Sequence, residues 1–434
     1  MISLSTAVFG FIMMLGFMVL GWHVGVAMLV TSFIGVIFTL GINSLNSFGT
    51  QLWSTMNDFL LTAIPLFVLL GEILLRSGVT DRMYGSLSLW LSRLPGGLLH
   101  TNIGTSAVFA AVSGSSVATA ATISTVALPE FRKRNYSEKL VLGSIASGAT
   151  LGILIPPSVN MIIFGAITNT SIGQLFAGGI IPGIILTLAF MMCIIVIAKI
   201  YPKMVDQTKI EVSLAEKLKH SVHLLPPLFI FSVTMGSIYT GWATPSEAAG
   251  MGVISSMIIA AVYGKLNFKL LNLCILSTMR TTALCFFIII AAFYLNFVVG
   301  VMGIPQQLTN FVSEIGTTPL QLILVLILFY LVLGCFIETL SMMVGTIPIV
   351  FPLILHLGID PVWFGIFLVL MMEISLITPP VGMNIYVVQG VRGHGSVKDI
   401  FVGVAPFVLT MILFILFITM FPNIVTWLPN LLFN

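Results

Sequence analysis

The amino-acid sequence predicts an all-α polytopic membrane protein organised as inverted repeats, with two re-entrant hairpins and two broken helices. Three observations lead there: a composition too apolar for water, apolar stretches close to bilayer length, and paired interruptions that recur at a fixed displacement. Of the 434 residues, 58% are apolar and 7% charged, against about 25% charged in soluble domains, which need charge to cover their surface. A mean hydropathy of +1.14, with 32 Phe and 23 Met, leaves no stretch able to form a soluble enzyme domain. The balance of 17 Lys and Arg against 14 Asp and Glu, a net charge of +3 carried in short loops, gives no support for nucleic-acid binding.

The N-terminal stretch has no basic region ahead of its apolar core, and apolar sequence continues well past it, so it reads as retained helix and not as a signal peptide. Spans are predicted at 6–22, 24–42, 58–75, 175–198, 222–240, 246–263, 281–299 and 401–421, each near the ~20 residues that cross ~30 Å of hydrocarbon. The stretches 141–170 and 361–391 are too long for one span and carry Pro-Pro in the middle, which marks broken helices. Polar or small residues interrupt 97–128 and 318–352, which read as hairpins entering and leaving on one side. The division that follows is a first repeat 1–200, a cytoplasmic linker 201–220, a second repeat 221–421 and an external tail 422–434.

Lys and Arg collect in 76–93, 132–139, 199–219, 265–280 and 392–398, whereas 43–57, 166–174, 235–246, 300–317 and the tail from 422 have none. The positive-inside rule makes the first set cytoplasmic and the second external. Ten crossings and two hairpins then place both termini outside, with the turn at Trp22-His23 fitting least well.

The motif LGILIPPSVN at 151–160 matches SLITPPVGMN at 375–384, and Pro156 lies 223 residues before Pro379. Nearly the same displacement relates YSEKLVLG, ending at Gly143, to GIDPVWFG, ending at Gly365, and SGSS at 113–116 to GCFIETLS at 334–341. Basic segments flank the first hairpin, and segments without Lys or Arg (300–317 and 353–360) flank the second, so the halves are expected to be inverted. Inverted repeats around a central site are the structural logic of secondary transporters, although duplication without transport stays open.

A helix broken at bilayer depth leaves amides and carbonyls that protein, water or an ion must satisfy. Ser113 and Ser116 supply hydroxyls, and the GILIPPS run at 152–158 frees carbonyls ahead of Pro156 and Pro157. The second half offers Gly334, Ser375, Thr378 and the carbonyls around Pro379 and Val381. Such neutral oxygens suit a hard monovalent cation, and no carboxylate cluster of the calcium kind is present. The plainer alternatives are a small-residue helix contact for SGSS and a packing kink for TPP, neither of which explains the recurrence of both. Half-helix N-termini at the hairpin tips would favour an anion near the midplane.

Among the carboxylates, Glu338 and Glu373 are candidates for coupling or substrate contact, while Glu72 has Arg76 at i,i+4 and Glu247 can cap the helix after Pro245. Cys193, Cys274, Cys285 and Cys335 lack C-x-x-C spacing and read as buried thiols, and the six His are scattered. No GxxxxGK[ST] loop is present, so direct ATP drive is not expected.

Taken together, IPLFVLLGEIL at 64–74, SGSSVATAATI at 113–123, GILIPPS at 152–158, TPSEAAG at 244–250, GCFIET at 334–339 and the run from IDPVWFGI to MMEISLITPPVGMN at 359–384 resemble the large membrane subunit (DctM-like) of tripartite ATP-independent periplasmic (TRAP) transporters. The resemblance implies an elevator-type transporter in the bacterial inner membrane, multi-pass and not an enzyme, that moves small organic anions inward with sodium. It implies two partners, a small four-helix DctQ-like membrane subunit and a soluble periplasmic substrate-binding protein. Carried over residue by residue, it implies two Na+ sites, the first from Ser113, Ser116, Gly152, Ile155 and Pro156, the second from Gly334, Ser375, Thr378 and Val381. Relatives commonly have Gly where this chain has Ser375. The chain resembles the unfused form, which needs a separate small subunit, and substrate choice is expected to lie largely on the binding protein. Alternatives are a self-sufficient sodium-coupled dicarboxylate or citrate transporter, and a noncatalytic membrane scaffold. A channel would need a continuous pore, which opposed hairpins argue against.

Overall fold

A computed structural model describes residues 4–206 and 213–433, and all regular structure among them is helical. Lys209 of the basic segment, 207–212 of the expected linker and Asn434 of the expected tail lie outside the described residues. Among the described residues, eight helical segments are long and apolar enough to cross a membrane: Phe59–Arg76, Glu138–Thr168, Ile172–Ile200, Leu214–Tyr239, Pro245–Val262, Phe268–Val301, Thr339–His356 and Val397–Met420. The pair Ile304–Ile315 and Pro319–Gly334, bent by 120°, is long and apolar enough only when taken together, as a broken span or a re-entrant loop would be. Shorter apolar helices cover Val8–Val19, Val24–Leu40 and Pro361–Ser375. The chain is a polytopic all-α membrane protein.

The expected spans fall on these helices, with three corrections. The segment expected at 281–299 is the end of a 34-residue helix that begins at Phe268. Arg280 had suggested a loop, but its neighbours continue the helix, whose length of about 51 Å exceeds the hydrocarbon and leaves room for charged first turns outside it. The expected tail holds the helix Asn423–Phe433, with Val425 fully buried and Phe433 against Gly173. Finally, Ser47–Met56, Val79–Leu91 and Ile304–Ile315 are helices in stretches that hydropathy alone left as connections.

The order of helices repeats. Leu98–Ser113 and Ser116–Arg132 are followed by Glu138–Leu154, Val159–Thr168 and Ile172–Ile200. In turn, Pro319–Gly334 and Thr339–His356 are followed by Pro361–Ser375, Met383–Arg392 and Val397–Met420. Both Pro-Pro bonds, Pro156–Pro157 and Pro379–Pro380, are cis. Even the caps correspond. Ser115 accepts a hydrogen bond from the Ala118 amide at 3.4 Å, and Glu338, 223 positions later, accepts one from the Ser341 amide at 3.1 Å. Each satisfies an amide that a helix start otherwise leaves unpaired.

Several segment ends are tied together: Tyr136 accepts from the Leu98 amide at 3.2 Å, the Ser137 amide donates to Met204 at 2.8 Å, Ser86 donates to the His220 carbonyl at 2.6 Å, and Arg82 lies 4.0 Å over the Tyr263 ring. Elsewhere Ser246 donates to the Phe59 carbonyl at 3.2 Å and Ser313 pairs with His356 at 2.7 Å.

The tightest knot joins the two halves. Arg392 is buried and makes a bidentate pair with Glu138, both contacts at 2.8 Å, and reaches Asp399 at 3.3 Å. Its hydrogen bonds to Glu138 come first among the influences that hold the guanidinium above its ordinary pKa. Beside this pair, Gly143 and Gly403 bring helices Glu138–Leu154 and Val397–Met420 into backbone contact. Arg392→Ala is expected to destabilise the protein by about 1–3 kcal/mol, less than a fully buried pair would lose, because Glu138 remains half exposed to water. Arg392→Lys, which keeps charge but not the fork, should fall between. Thermal unfolding of the purified variants measures both.

Candidate functional site

Helix Glu138–Leu154 ends where Ile155 takes an extended backbone (φ −78, ψ 121) and Pro156 and Pro157 bring no amide to continue the ladder. The break lies against the one between the two preceding helices. A Cβ added to Gly152 would sit 2.9 Å from the Ser115 carbonyl and from Ser116 Cα, and one on Gly114 (φ +61) 2.9 Å from the Pro157 carbonyl oxygen. Glycine is required for so close a backbone approach. Ser116 Oγ donates to the Thr150 carbonyl at 3.0 Å, and Ser113 Oγ pairs with Thr119 Oγ1 at 3.1 Å. The structure therefore gathers Ser113, Ser116 and Gly152 at one junction. Ile155 and Pro156 belong to the same turn, with side chains against Gly183 and Gly179 of helix Ile172–Ile200.

The second junction repeats this arrangement with the glycine on the opposite side. A Cβ on Gly334 would lie 2.5 Å from Ser375 Cβ. In the first half the broken helix supplies the glycine, Gly152, and the facing break the serines. In the second the preceding helix supplies Gly334 and the broken helix supplies Ser375. The close approach at the second junction is thus made by the glycine of the other partner. Ser375 Oγ donates to the Met372 carbonyl at 2.7 Å, and Thr378 Oγ1 to the Ile374 carbonyl at 3.0 Å. Val381 follows the turn and lines a shallow depression with Pro380, Met383 and Tyr386, so its side chain is not part of the Gly334–Ser375 contact. The two breaks also differ in exposure: Pro156, Pro157 and Ser158 are buried, Pro379 and Pro380 exposed.

A hydroxyl that donates to a carbonyl keeps its own lone pairs, so Ser116, Ser375 and Thr378 can still offer oxygen to a cation. Within the first break, Ser158 Oγ is buried without a partner among the described residues. Donor sets of hydroxyls and carbonyls fit a hard monovalent ion, and no group of three or more His, Cys, Asp or Glu suited to a metal lies among the described residues.

Three of the four singled-out carboxylates have local partners. Glu247 completes a capping box with Thr244, Glu72 pairs with Arg76 at 3.0 Å and accepts from Ser277 at 2.7 Å, and Glu338 caps Thr339–His356. Glu373 differs, being fully buried with neither oxygen in a well-formed hydrogen bond among the described residues. Sequence reasoning missed the Thr119, Thr150 and Pro157 contacts, and also Gly71, whose Cβ position lies 2.8 Å from the Ser113 carbonyl oxygen. The glycine in LLGEILLR was the available signal.

An all-helical polytopic chain with twice-repeated helix breaks belongs to the class of membrane transport proteins, and solved structures share its fold. The YdaH transporter of Alcanivorax borkumensis aligns with a TM-score of 0.55 at 15% identity, covering 88% of this chain and 89% of that one. Neisseria gonorrhoeae MtrF aligns with a TM-score of 0.57 at 12% identity, covering 88% and 85%. The family is more specific: residues 11–424 match the DctM component of the tripartite ATP-independent periplasmic transporters, and the chain belongs to that family of large permeases. It is 33% identical to the C4-dicarboxylate TRAP transporter large permease protein DctM of Pseudomonas aeruginosa, over 89% of this chain and 90% of that protein. It is 30% identical to the sialic acid TRAP transporter large permease protein SiaM of Vibrio cholerae, over 96% and 97%.

Proposed function

We propose that this chain is the large permease subunit of a sodium-coupled, binding-protein-dependent importer of small organic anions such as dicarboxylates or sialic acids. The observation that carries the reading is the repeated junction, in which a broken helix meets a second helix break through a glycine in each half. Duplication of an oxygen-rich break is hard to account for by packing alone, and it supplies two sites of the kind two sodium ions need. In this reading the hairpins 97–128 and 318–352 are the gates of inverted repeats 1–200 and 221–421, and the hairpins and broken helices move together as an elevator. The unequal exposure of the two Pro-Pro turns suits one conformer of an alternating-access cycle. Basic segments face the cytoplasm, and both termini face the periplasm across the inner membrane.

The residues have separable tasks. Ser113, Ser116 and the Gly152, Ile155 and Pro156 backbone would hold the first Na+, and Gly334, Ser375, Thr378 and the Val381 carbonyl the second. A sodium gradient supplies the driving force. The moving domain works against surrounding lipid and a fixed DctQ-like four-helix subunit, and a periplasmic binding protein delivers the anion.

Reconstitution of the chain with both partners in liposomes tests this. Uptake of a dicarboxylate or sialic acid is expected to require an inward sodium gradient, the small subunit and the binding protein together. Full uptake by the chain alone would favour a self-sufficient carrier, and uptake indifferent to sodium would remove the coupling.

A further inference from the structure

Glu373 is 0% exposed, and neither carboxylate oxygen makes a well-formed hydrogen bond among the described residues, the Leu154 backbone being the donor near it. It lies on helix Pro361–Ser375, two positions before Ser375, yet its carboxylate sits beside the backbone of Leu154, the last residue of the first half's broken helix. Leu154 directly precedes Ile155 and lies two positions after Gly152, two of the residues placed at the first ion site. A carboxylate from the second half is therefore delivered to the first half's break. The carboxylates at the other breaks and helix starts are engaged: Glu338 and Glu247 are caps, and Glu72 pairs with Arg76. Burying a charge without a partner is among the most costly arrangements in a protein, so a buried carboxyl stays ionised where a cation or a dense set of donors offsets that cost and otherwise takes up a proton. The donors at the first junction are neutral hydroxyls and carbonyls, so a cation there brings a positive charge that they do not cancel.

We propose that Glu373 is the counter-charge for the cation at the first break, supplied across the repeat boundary. This inference rests on the sodium reading above. It gives the two sites a physical link, because the helix that carries Glu373 into the first site carries Ser375 at the second. Occupancy of the first break then fixes the position of the segment that builds the other. Linkage requires that the effect be mutual: an ion at either site tightens the other.

The test compares wild type, Glu373→Gln and Glu373→Asp in the assembled transporter, using radioactive sodium binding and the sodium-dependent shift in melting temperature beside uptake. Glutamine keeps shape and removes charge. Glu373→Gln is expected to raise the sodium half-saturation at least about tenfold, equivalent to 1.4 kcal/mol, with a reduced sodium-dependent melting shift. Glu373→Asp should keep the charge and fall between. Wild-type sodium affinity in a folded Glu373→Gln protein would overturn the proposal. An infrared carboxylic-acid band in sodium-saturated wild type that is lost in Glu373→Gln, or that shifts in frequency in Glu373→Asp, would also overturn it, since the group would then be neutral with the cation bound. That second measurement decides the matter even if the glutamine variant fails to fold, because the aspartate variant serves as the reference. Absence of sodium binding by wild type itself would instead remove the underlying sodium reading.

Discussion

Gly403→Ala is expected to destabilise the protein by about 3 kcal/mol or more, the range of substitutions that force two packed backbones apart. A Cβ on Gly403 would overlap the Lys139 carbonyl, and Gly143 on the facing helix meets the Gly403 backbone in turn. Both obstacles are main chain, so no rotamer change relieves them. Helix Glu138–Leu154 would have to move off helix Val397–Met420, taking Glu138 away from Arg392 and disturbing Lys139 beside Asp399. Gly250→Ala is the control. It lies in helix Pro245–Val262 with open space where its Cβ would be, so its stability should be unchanged or up to about 1 kcal/mol greater. Melting temperature and folded yield of the two purified variants measure the difference. Equal stability would show that the Gly143–Gly403 crossing is not a fixed joint.

That crossing shows where sequence reading stops. Hydropathy located the long spans because a bilayer imposes length and polarity on each segment separately. The Pro-Pro turns and the 223-residue displacement were legible for a related reason: proline acts on its own neighbours, and a duplicated motif can be compared with itself. The amphipathic helices Val79–Leu91 and Ile304–Ile315 were not, since a mixed sequence has no hydropathic signature that separates a helix at the interface from a loop. The tail from 422 was read only as external, and Asn423–Phe433 is helical where it packs on Ile172–Ile200.

At the candidate site, residue types were legible and pairings were not. The hydroxyls of SGSS and the carbonyls of TPP announce polarity at the wrong depth. That Gly152 faces Ser115 and Ser116 while Gly334 faces Ser375 depends on helix positions that no local pattern encodes. The same limit hid where Glu373, a candidate from the sequence, is placed. Its sequence neighbours place it in the second half, and only the packing of Pro361–Ser375 against Glu138–Leu154 brings it to the first break. The capping roles of Glu247 and the Glu72–Arg76 pair were readable because each spans a single helical turn.

Thr378→Val is expected to weaken sodium coupling far more than it weakens the fold. Thr378 Oγ1 donates to the Ile374 carbonyl at 3.0 Å and lies 3.5 Å from the Ser375 carbonyl; the Ile374 carbonyl also receives the Ile377 amide at 3.0 Å, so removing the hydroxyl leaves that oxygen paired and gives up only the long contact to Ser375. Valine has nearly the same shape, and Thr378 is only partly buried, which keeps the packing cost small. The loss falls instead on the hydroxyl lone pairs, the only side-chain oxygen Thr378 can offer a cation beside the Pro379–Pro380 turn. Losing one such ligand costs roughly 1–3 kcal/mol, or about 5- to 150-fold in sodium affinity if expressed wholly in binding. Raising sodium should then restore much of the uptake, a rescue that a misfolded protein would not show. Thr378→Ser retains the oxygen and should stay close to wild type. Uptake against sodium concentration for the three proteins, at matched folded levels, decides it: an unchanged half-saturation in Thr378→Val would remove the side chain from the site and leave coordination to the neighbouring carbonyls.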